Sequence, residues 1–272
     1  MDDPQYERYA DLCYLNLTHF NQLSKVLETI SPNVLFINLG WNELVNIEST
    51  TFSMYSDLEK LVMSSNAHFE FPADGSPMLS SSSLTDFVCA QCAIVKIYNR
   101  SLRELPLLEY LELSKNSISQ IEKHAFRKNR CLIFLDLSGN MLRWIPSTLL
   151  TGLPEMKTID LSSNRELAPV RYKPFLISNV LEKLKCNDCG FTTIYENTFA
   201  KLTNLKEIYL RGNQFFMVQE PVSLWRAINL LLQISKFRLR STVDTQLSEN
   251  DLEIISGRKS NEKPTIVTTN QP

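Results

Sequence analysis

Apolar residues recur along this chain with two periods, a short one of two residues and a long one of about 24. Near the middle of the chain, Leu111 and Leu113 alternate with Glu112 and Ser114, as in a strand with one buried face. The same alternation returns through most of the chain, and each time an asparagine or a cysteine follows it. The long period therefore indicates an internal repeat that contains one short strand.

The asparagine or cysteine after each strand marks the repeat. The markers are Asn42, Asn66, Cys92, Asn116, Asn140, Asn164, Cys189 and Asn213. Their successive spacings are 24, 26, 24, 24, 24, 25 and 24 residues. The clearest copy of the full pattern, L-x-x-L-x-L-x-x-N/C-x-L, consists of Leu132, Leu135, Leu137, Asn140 and Leu142. The chain therefore holds eight copies of the repeat.

From Pro32 to about Met217 this pattern resembles that of leucine-rich-repeat proteins. The resemblance implies an α/β solenoid, a curved horseshoe with a parallel β-sheet on its concave face. Stacking gives a physical reason, because one repeat cannot bury its apolar strand face alone. At the sharp turn after each strand, an asparagine amide can donate and accept hydrogen bonds and so satisfy backbone groups that leave the sheet.

A second apolar column is expected at the back of each coil. Its members follow the marker by ten or eleven residues and are Phe52, Phe126, Leu150, Phe175 and Phe199. Repeats of about 24 residues with such a phenylalanine resemble the type frequent in extracellular members of the family.

The repeat boundaries predict four segments: an N-terminal cap with a degenerate repeat (1–31), the solenoid (32–217), a C-terminal capping helix (218–240) and a disordered tail (241–272). Leu12, Leu15 and Leu17 predict the strand of the N-terminal cap. The apolar stripe that follows Pro221 predicts the helix, with a partner-binding or membrane-surface helix as the alternative.

Composition excludes some functions. The chain has 272 residues, 43% of them hydrophobic, and a net charge of −2, so it can bury a core but has no basic field for nucleic acid. Val222 to Ile234 falls short of the roughly 20 apolar residues that a membrane span requires, which predicts no transmembrane helix. Met1 to Ala10 lacks the positive start and apolar run of a secretory signal.

Two CxxC motifs, Cys89 with Cys92 and Cys186 with Cys189, raise the possibility of a zinc site. The pairs are four repeats apart, about 19 Å at the spacing of stacked strands, whereas zinc–sulfur bonds are about 2.3 Å. The pairs therefore cannot share an ion. Buried, unpaired thiols are the favoured interpretation, with redox chemistry or a local disulfide as alternatives.

No pattern in the sequence points to catalysis or to a cofactor. The histidines, His19, His68 and His124, lie in separate repeats and do not recur beside a serine or cysteine. The chain has only 7 glycines and no glycine-rich phosphate loop. We therefore expect a protein that is not an enzyme and that binds no metal or cofactor.

Two sites match the acceptor pattern for N-glycosylation, and chance occurrence is the alternative explanation for both. Asn16 is expected in the cap strand. Asn99 is expected on the outer course of its coil, where a glycan can be accommodated.

The residues between the inward leucines form the exposed concave surface, on which curved solenoids present ligand-binding residues. Five of them define the concave strip, which combines two aromatic rings with three consecutive carboxylates. They are Tyr110, Glu112, Phe134, Asp136 and Asp160. We expect this strip to bind a protein partner with a basic surface. The alternative is a solvated strand face without a ligand.

Two functional interpretations remain open. The repeat type and the two glycosylation patterns favour an extracellular or membrane-associated recognition module, in adhesion, receptor or innate-immune settings. The absent signal, the lack of cysteine-rich caps and the expected free thiols favour a cytoplasmic scaffold or regulatory subunit. The sequence names no partner for either.

Overall fold

The computed structural model describes residues 8–214 and two further strands near the C-terminus. The strands are β1 (Tyr9–Asp11), β2 (Phe36–Asn38), β3 (Lys60–Val62), β4 (Asp86–Val88), β5 (Lys96–Ile97), β6 (Tyr110–Glu112), β7 (Gln120–Ile121), β8 (Phe134–Asp136), β9 (Thr158–Asp160), β10 (Lys183–Lys185), β11 (Glu207–Tyr209), β12 (Arg238–Arg240) and β13 (Glu253–Ile255). Helix α1 spans Phe20–Leu27.

The strands of successive repeats form one long sheet, in the order β1-β2-β3-β4-β6-β8-β9-β10-β11-β12-β13. Neighbours are parallel from β1 to β12, and β13 runs antiparallel to β12. Eight of these strands belong to the eight predicted repeats. The predicted parallel-sheet solenoid is therefore confirmed.

Burial follows the two-residue period in every repeat. The central residue of each repeat strand is fully buried, and these residues are Ile37, Leu61, Phe87, Leu111, Leu135, Ile159, Leu184 and Ile208. The residues on either side of them are in nearly every case half-buried and face the concave surface. Inward side chains from stacked repeats thus form one continuous core.

In the repeats whose marker is asparagine, the corner amide connects the repeat to the one before it. The Asn140 amide nitrogen donates to the carbonyl oxygens of Leu113 and Leu137, both at 2.9 Å, and its Oδ1 accepts the Ile118 N–H at 2.9 Å. The turn requires a left-handed backbone just before the marker, and Gly139 adopts a φ of 64° there. One buried amide therefore replaces several sheet hydrogen bonds that the turn removes.

The back of the coil contains the second apolar column as predicted. Phe52, Phe126, Leu150, Phe175 and Phe199 are all buried. On the same outer course, β5 and β7 form a small parallel sheet of their own. The wide side of the repeats is thus filled by side chains rather than by helices.

The predicted position of the N-terminal cap strand is wrong. The strand is β1, Tyr9–Asp11, which pairs with β2 and buries Ala10 in the core. Leu12 and Leu17 are buried in the turn after the strand, where the Asn42 Oδ1 accepts the N–H groups of Leu15 and Leu17. Apolar residues in the corner between β1 and α1 therefore mimicked the spacing of a strand.

At the other end, the sheet continues into the segment that the sequence assigned to a capping helix. Residues 238–240 form β12, and residues 253–255, in the expected disordered tail, form β13. The rest of the predicted helix and tail lies outside the described residues.

The favoured interpretation of the CxxC motifs as unpaired thiols is wrong, because each pair forms a disulfide. Cys89 is bonded to Cys92 and Cys186 to Cys189, while Cys13 and Cys131 are free. All four bonded cysteines are buried. A disulfide sulfur carries no hydrogen, so these markers cannot act as corner donors as asparagine does.

The two cysteine repeats are also the two with irregular spacing, and one local change connects these facts. After Asn66 and Asn164 an extra residue precedes the next buried apolar residue, which is Phe69 or Leu167. This residue accounts for the whole excess in the 25-residue spacing and for one of the two extra residues in the 26-residue spacing. The Phe69 N–H then donates to the Asn66 carbonyl at 3.0 Å, and the Leu167 N–H donates to the Asn164 carbonyl at 2.9 Å. These N–H groups no longer need an acceptor from the following repeat, so a cysteine can occupy its marker position.

Thiol titration in denaturant is expected to find two reactive thiols before reduction, Cys13 and Cys131, and six after it. Each disulfide closes a very short loop, for which loop-closure entropy gives a stabilisation of about 2 kcal/mol. Reduction should therefore lower the free energy of unfolding by about 4 kcal/mol in total. The control Cys131→Ala should remove one thiol without changing that loss. Six reactive thiols in unreduced, freshly purified protein would contradict the disulfides.

Candidate functional site

The concave strip lies where the sheet register brings two columns of side chains together. Tyr110 pairs with Phe134 across β6 and β8, and in the next column Glu112, Asp136 and Asp160 follow one another across β6, β8 and β9. The five predicted residues are therefore neighbours on one surface. Whether that surface binds a partner stays a prediction.

The two aromatic rings of the strip stack on each other. The ring centroids of Tyr110 and Phe134 are 4.5 Å apart, and the ring planes differ by only 4°. Each side chain is only half-buried, because it lies on the concave face of its strand, which points to solvent. The stack thus presents a rigid apolar area beside the carboxylates of the neighbouring column.

The carboxylates are held by local hydrogen bonds. The Ser138 N–H donates to Asp136 at 2.8 Å, and the Ser162 N–H donates to Asp160 at 3.0 Å. Glu112 accepts from the Ser114 hydroxyl at 3.1 Å and has a long contact of 3.5 Å with the Tyr110 hydroxyl. Backbone and side-chain donors thus fix the carboxylates on neighbouring strands, which lie about 4.8 Å apart.

The third carboxylate already has a cationic partner, which the sequence analysis did not include in the strip. Lys185 Nζ lies 3.2 Å from Asp160 Oδ2. Lys185 follows Asp160 in the same column, so the strand register contains the signal for this pair. In the part of the chain that the structure describes, Glu112 and Asp136 form no ion pair. The uncompensated acidic part of the strip is therefore its N-terminal half.

The pKa values of Asp136 and Tyr110 are raised, first by burial and then by the neighbouring negative charges. Burial raises the pKa of Asp136, the hydrogen bonds from Ser138 oppose that rise, and the charges of Asp160 and Glu112 add to it. Burial also raises the pKa of Tyr110, and the nearby carboxylates, first Glu112 and then Asp136, raise it further. A cation bound on the strip would oppose the neighbouring carboxylates and lower both pKa values.

Both candidate glycosylation sites lie at the surface. Asn16 is exposed in the turn after β1, with a φ of 53°, and not in the cap strand as predicted. Asn99 is exposed just after β5, and its N–H donates to the Glu122 carboxylate at 3.1 Å. Their modification stays a prediction.

The described residues contain no helix long and apolar enough to cross a lipid bilayer. They also contain no group of three or more histidine, cysteine or acidic side chains placed to hold a metal ion.

A family profile described as leucine rich repeat matches residues 82–142. The match agrees with the repeat geometry, which extends the same pattern through the described solenoid. The chain is a leucine-rich-repeat protein. A solved structure of the TLR13–ssRNA13 complex has the same fold, with a TM-score of 0.53 and 16% sequence identity over 85% of this chain and 43% of the other. At that identity the likeness concerns the fold alone.

Two curated relatives share more sequence with this leucine-rich-repeat chain. Tsukushi from Gallus gallus is 26% identical over 257 residues, which cover 75% of this chain and 68% of the relative. Podocan from Mus musculus is 25% identical over 245 residues, which cover 79% of this chain and 34% of the relative. These relatives are extracellular leucine-rich-repeat proteins. The chain spans about a third of Podocan and about two thirds of Tsukushi.

Replacing Asp136 with asparagine is expected to stabilise the protein near neutral pH. The variant keeps Oδ1 as an acceptor for Ser138 and removes the charge. The raised pKa means that the folded state binds a proton more readily than the unfolded state, so ionised Asp136 lowers stability above its usual pKa. The penalty disappears as the pH falls below that value.

Thermal melting of both proteins between pH 7 and about pH 3 measures this effect. The gain in Tm should be present near pH 7 and vanish near pH 3. The matched control is Asp57→Asn, which removes an exposed carboxylate outside the strip. An equal gain in the control, or a gain that grows in acid, would refute the electrostatic explanation.

Proposed function

We propose that this chain is a non-catalytic recognition module that acts outside the cell and binds a protein with a basic surface on the concave strip. The observation that supports the binding site is the stacked pair Tyr110–Phe134 beside two carboxylates, Glu112 and Asp136, that have no cationic partner among the described residues. Aromatic anchors next to uncompensated charge are typical of interface hot spots.

The disulfides support an oxidising compartment. Disulfides persist in secreted and extracellular proteins and are rare in the cytosol, where thiols are kept reduced. The described part of the chain contains two, and both lie within the repeats rather than in terminal caps. Because the relatives are also extracellular, the cytoplasmic scaffold becomes the weaker of the two interpretations.

Charge favours a basic protein over a nucleic acid as the partner. The solved TLR13 structure is a complex with ssRNA13, and that ligand belongs to TLR13. In this chain the strip carries Glu112, Asp136 and Asp160, and Asp86 lies beside Tyr110 in the register. Phosphate groups would be repelled by such a surface, whereas lysine and arginine side chains would be attracted.

Two substitutions in the strip are expected to weaken partner binding by separate routes. A tagged, secreted form of the chain would be screened against purified extracellular domains, and each binder would be measured with the variants. Phe134→Ala removes apolar contact area and should weaken binding by about 30-fold. Asp136→Lys reverses a charge and should weaken it with a steep dependence on salt.

The matched controls are Met54→Ala and Asp57→Lys, which change exposed residues outside the strip. Both should bind like the unmodified chain. Affinity that survives both strip substitutions and is lost with Met54→Ala would mean that the partner binds elsewhere.

Glycosylation gives an independent test of the extracellular assignment. The chain, expressed with an added export signal, should carry N-linked glycans at Asn16 and Asn99 because both side chains are exposed. Glycosidase treatment should then increase electrophoretic mobility, and Asn16→Gln and Asn99→Gln should each remove one step of that shift. A secreted chain whose mobility does not change would count against an extracellular protein.

A further inference from the structure

A recess opens beside the ends of strands β1, β2 and β3, at the N-terminal end of the concave face. Its volume is about 480 Å³. It is lined by the rings of Tyr14 and Trp41, by the backbone around Gly40 and by Asp11. We refer to it as the aromatic recess. None of these residues belongs to the concave strip.

The two rings occupy equivalent corners of the cap and of the first repeat. Tyr14 and Trp41 both adopt a left-handed backbone, with φ values of 58° and 55°, and their ring centroids lie 5.7 Å apart with planes 14° apart. They remain 68% and 56% exposed. The same corner in later repeats holds Ser65, Gln91, Lys115, Gly139, Ser163, Asp188 and Gly212. Large exposed rings at this end of the array therefore have no counterpart in those corners.

Gly40 keeps the space beside the rings open. A Cβ atom at this position would lie 3.2 Å from Asn38 Oδ1 and 3.3 Å from the Ser64 carbonyl oxygen. The Gly40 N–H donates to Asn38 Oδ1 at 3.1 Å, which fixes the backbone there. A larger residue would crowd these acceptors, so the glycine preserves a cleft between rings and strand ends.

The charge of the aromatic recess is negative. Asp11 supplies a carboxylate, whose Oδ1 accepts the Cys13 N–H at 3.2 Å, and no lysine, arginine or histidine is among the lining residues. Burial and the neighbouring Asp11 raise the pKa of Cys13 to about 11, so its thiol stays neutral. The recess thus combines aromatic faces, a carboxylate and uncharged acceptors.

We propose that the aromatic recess binds the guanidinium group of an arginine from a protein partner. A guanidinium is planar, so it stacks on the face of Trp41 or Tyr14 while its N–H groups donate to the Asp11 carboxylate. A lysine ammonium is more strongly hydrated and cannot stack in this way. Arginine is therefore preferred over lysine.

The inference rests on the proposed function only in taking the partner to be a basic protein. Strand β2 and strand β6 are three steps apart in the sheet, a distance of about 14 Å. An arginine in the recess and basic groups on the concave strip can therefore belong to one partner surface. The two sites remain separable by mutation because they share no residue.

A short peptide tests the recess without knowledge of the partner. The probe is acetyl-Gly-Arg-Gly-amide, titrated by ligand-observed NMR against the whole chain, beside equivalent peptides with lysine and with the uncharged isostere citrulline. The arginine peptide should bind most tightly. Trp41→Leu and Asp11→Asn should each weaken it about fivefold or more.

Matched controls separate the recess from general effects. Trp144→Leu changes another exposed tryptophan, and Asp57→Asn changes another exposed carboxylate; both should leave peptide binding unchanged. Trp41→Phe keeps a ring and should retain binding if loss in Trp41→Leu reflects stacking and not misfolding. Phe134→Ala should also retain it, so a failure of the concave strip would not count as a failure of the recess.

Several results would overturn the proposal. Equal binding of the citrulline peptide would show that charge is not recognised, and equal binding of the lysine peptide would remove the preference for a planar cation. Equal loss in Trp144→Leu would place the peptide elsewhere. Binding of a neutral sugar such as methyl glucoside in the recess, with no binding of the arginine peptide, would assign the rings to a different ligand class.

Discussion

The corner asparagine is the interaction on which the rest of this structure depends. A strand of three residues has few hydrogen bonds of its own, and the chain must leave the sheet at once to return along the back of the coil. The buried amide of Asn116, for example, donates to the carbonyls of Cys89 and Leu113 and accepts the N–H of Ile94. Each such amide joins two repeats while it closes its own turn, so wherever the marker is asparagine the direction of the coil is fixed by its neighbour.

This constraint places the functional surface. Because successive strands pair in the same register, residues about 24 apart in sequence become adjacent on the concave face. The side chains that interact on that face are therefore arranged in columns across the repeats and not along the chain. Tyr110 meets Phe134, and Asp160 meets Lys185, only because the strands between Glu112 and Lys185 hold their alignment.

The sequence predicted most of the fold, because the two-residue and 24-residue periods are separately legible in it. It predicted the columns of the concave face for the same reason. It did not predict the position of β1, since Leu12, Leu15 and Leu17 have strand spacing although two of them are buried at a corner. Its favoured interpretation of the CxxC cysteines as unpaired thiols was wrong, because spacing alone is the same for two thiols and for a disulfide. The ion pair within a column, between Asp160 and Lys185, required the side-chain positions of the structure.

The two disulfide repeats interrupt the line of corner amides. At these junctions the marker has no amide to bridge to the preceding repeat, and the hydroxyls of Ser64 and Ser162 instead accept the N–H groups of Ala90 and Asn187, at 3.1 Å and 3.2 Å. At each of these junctions, one partly buried hydrogen bond to a serine hydroxyl thus replaces the two buried hydrogen bonds that a corner amide makes with the preceding repeat. Fewer corner hydrogen bonds couple the repeats at these junctions, and we therefore expect the array to unfold as three cooperative blocks. Under mechanical load, flexure would concentrate at the two boundaries, with the concave strip lying wholly inside the central block.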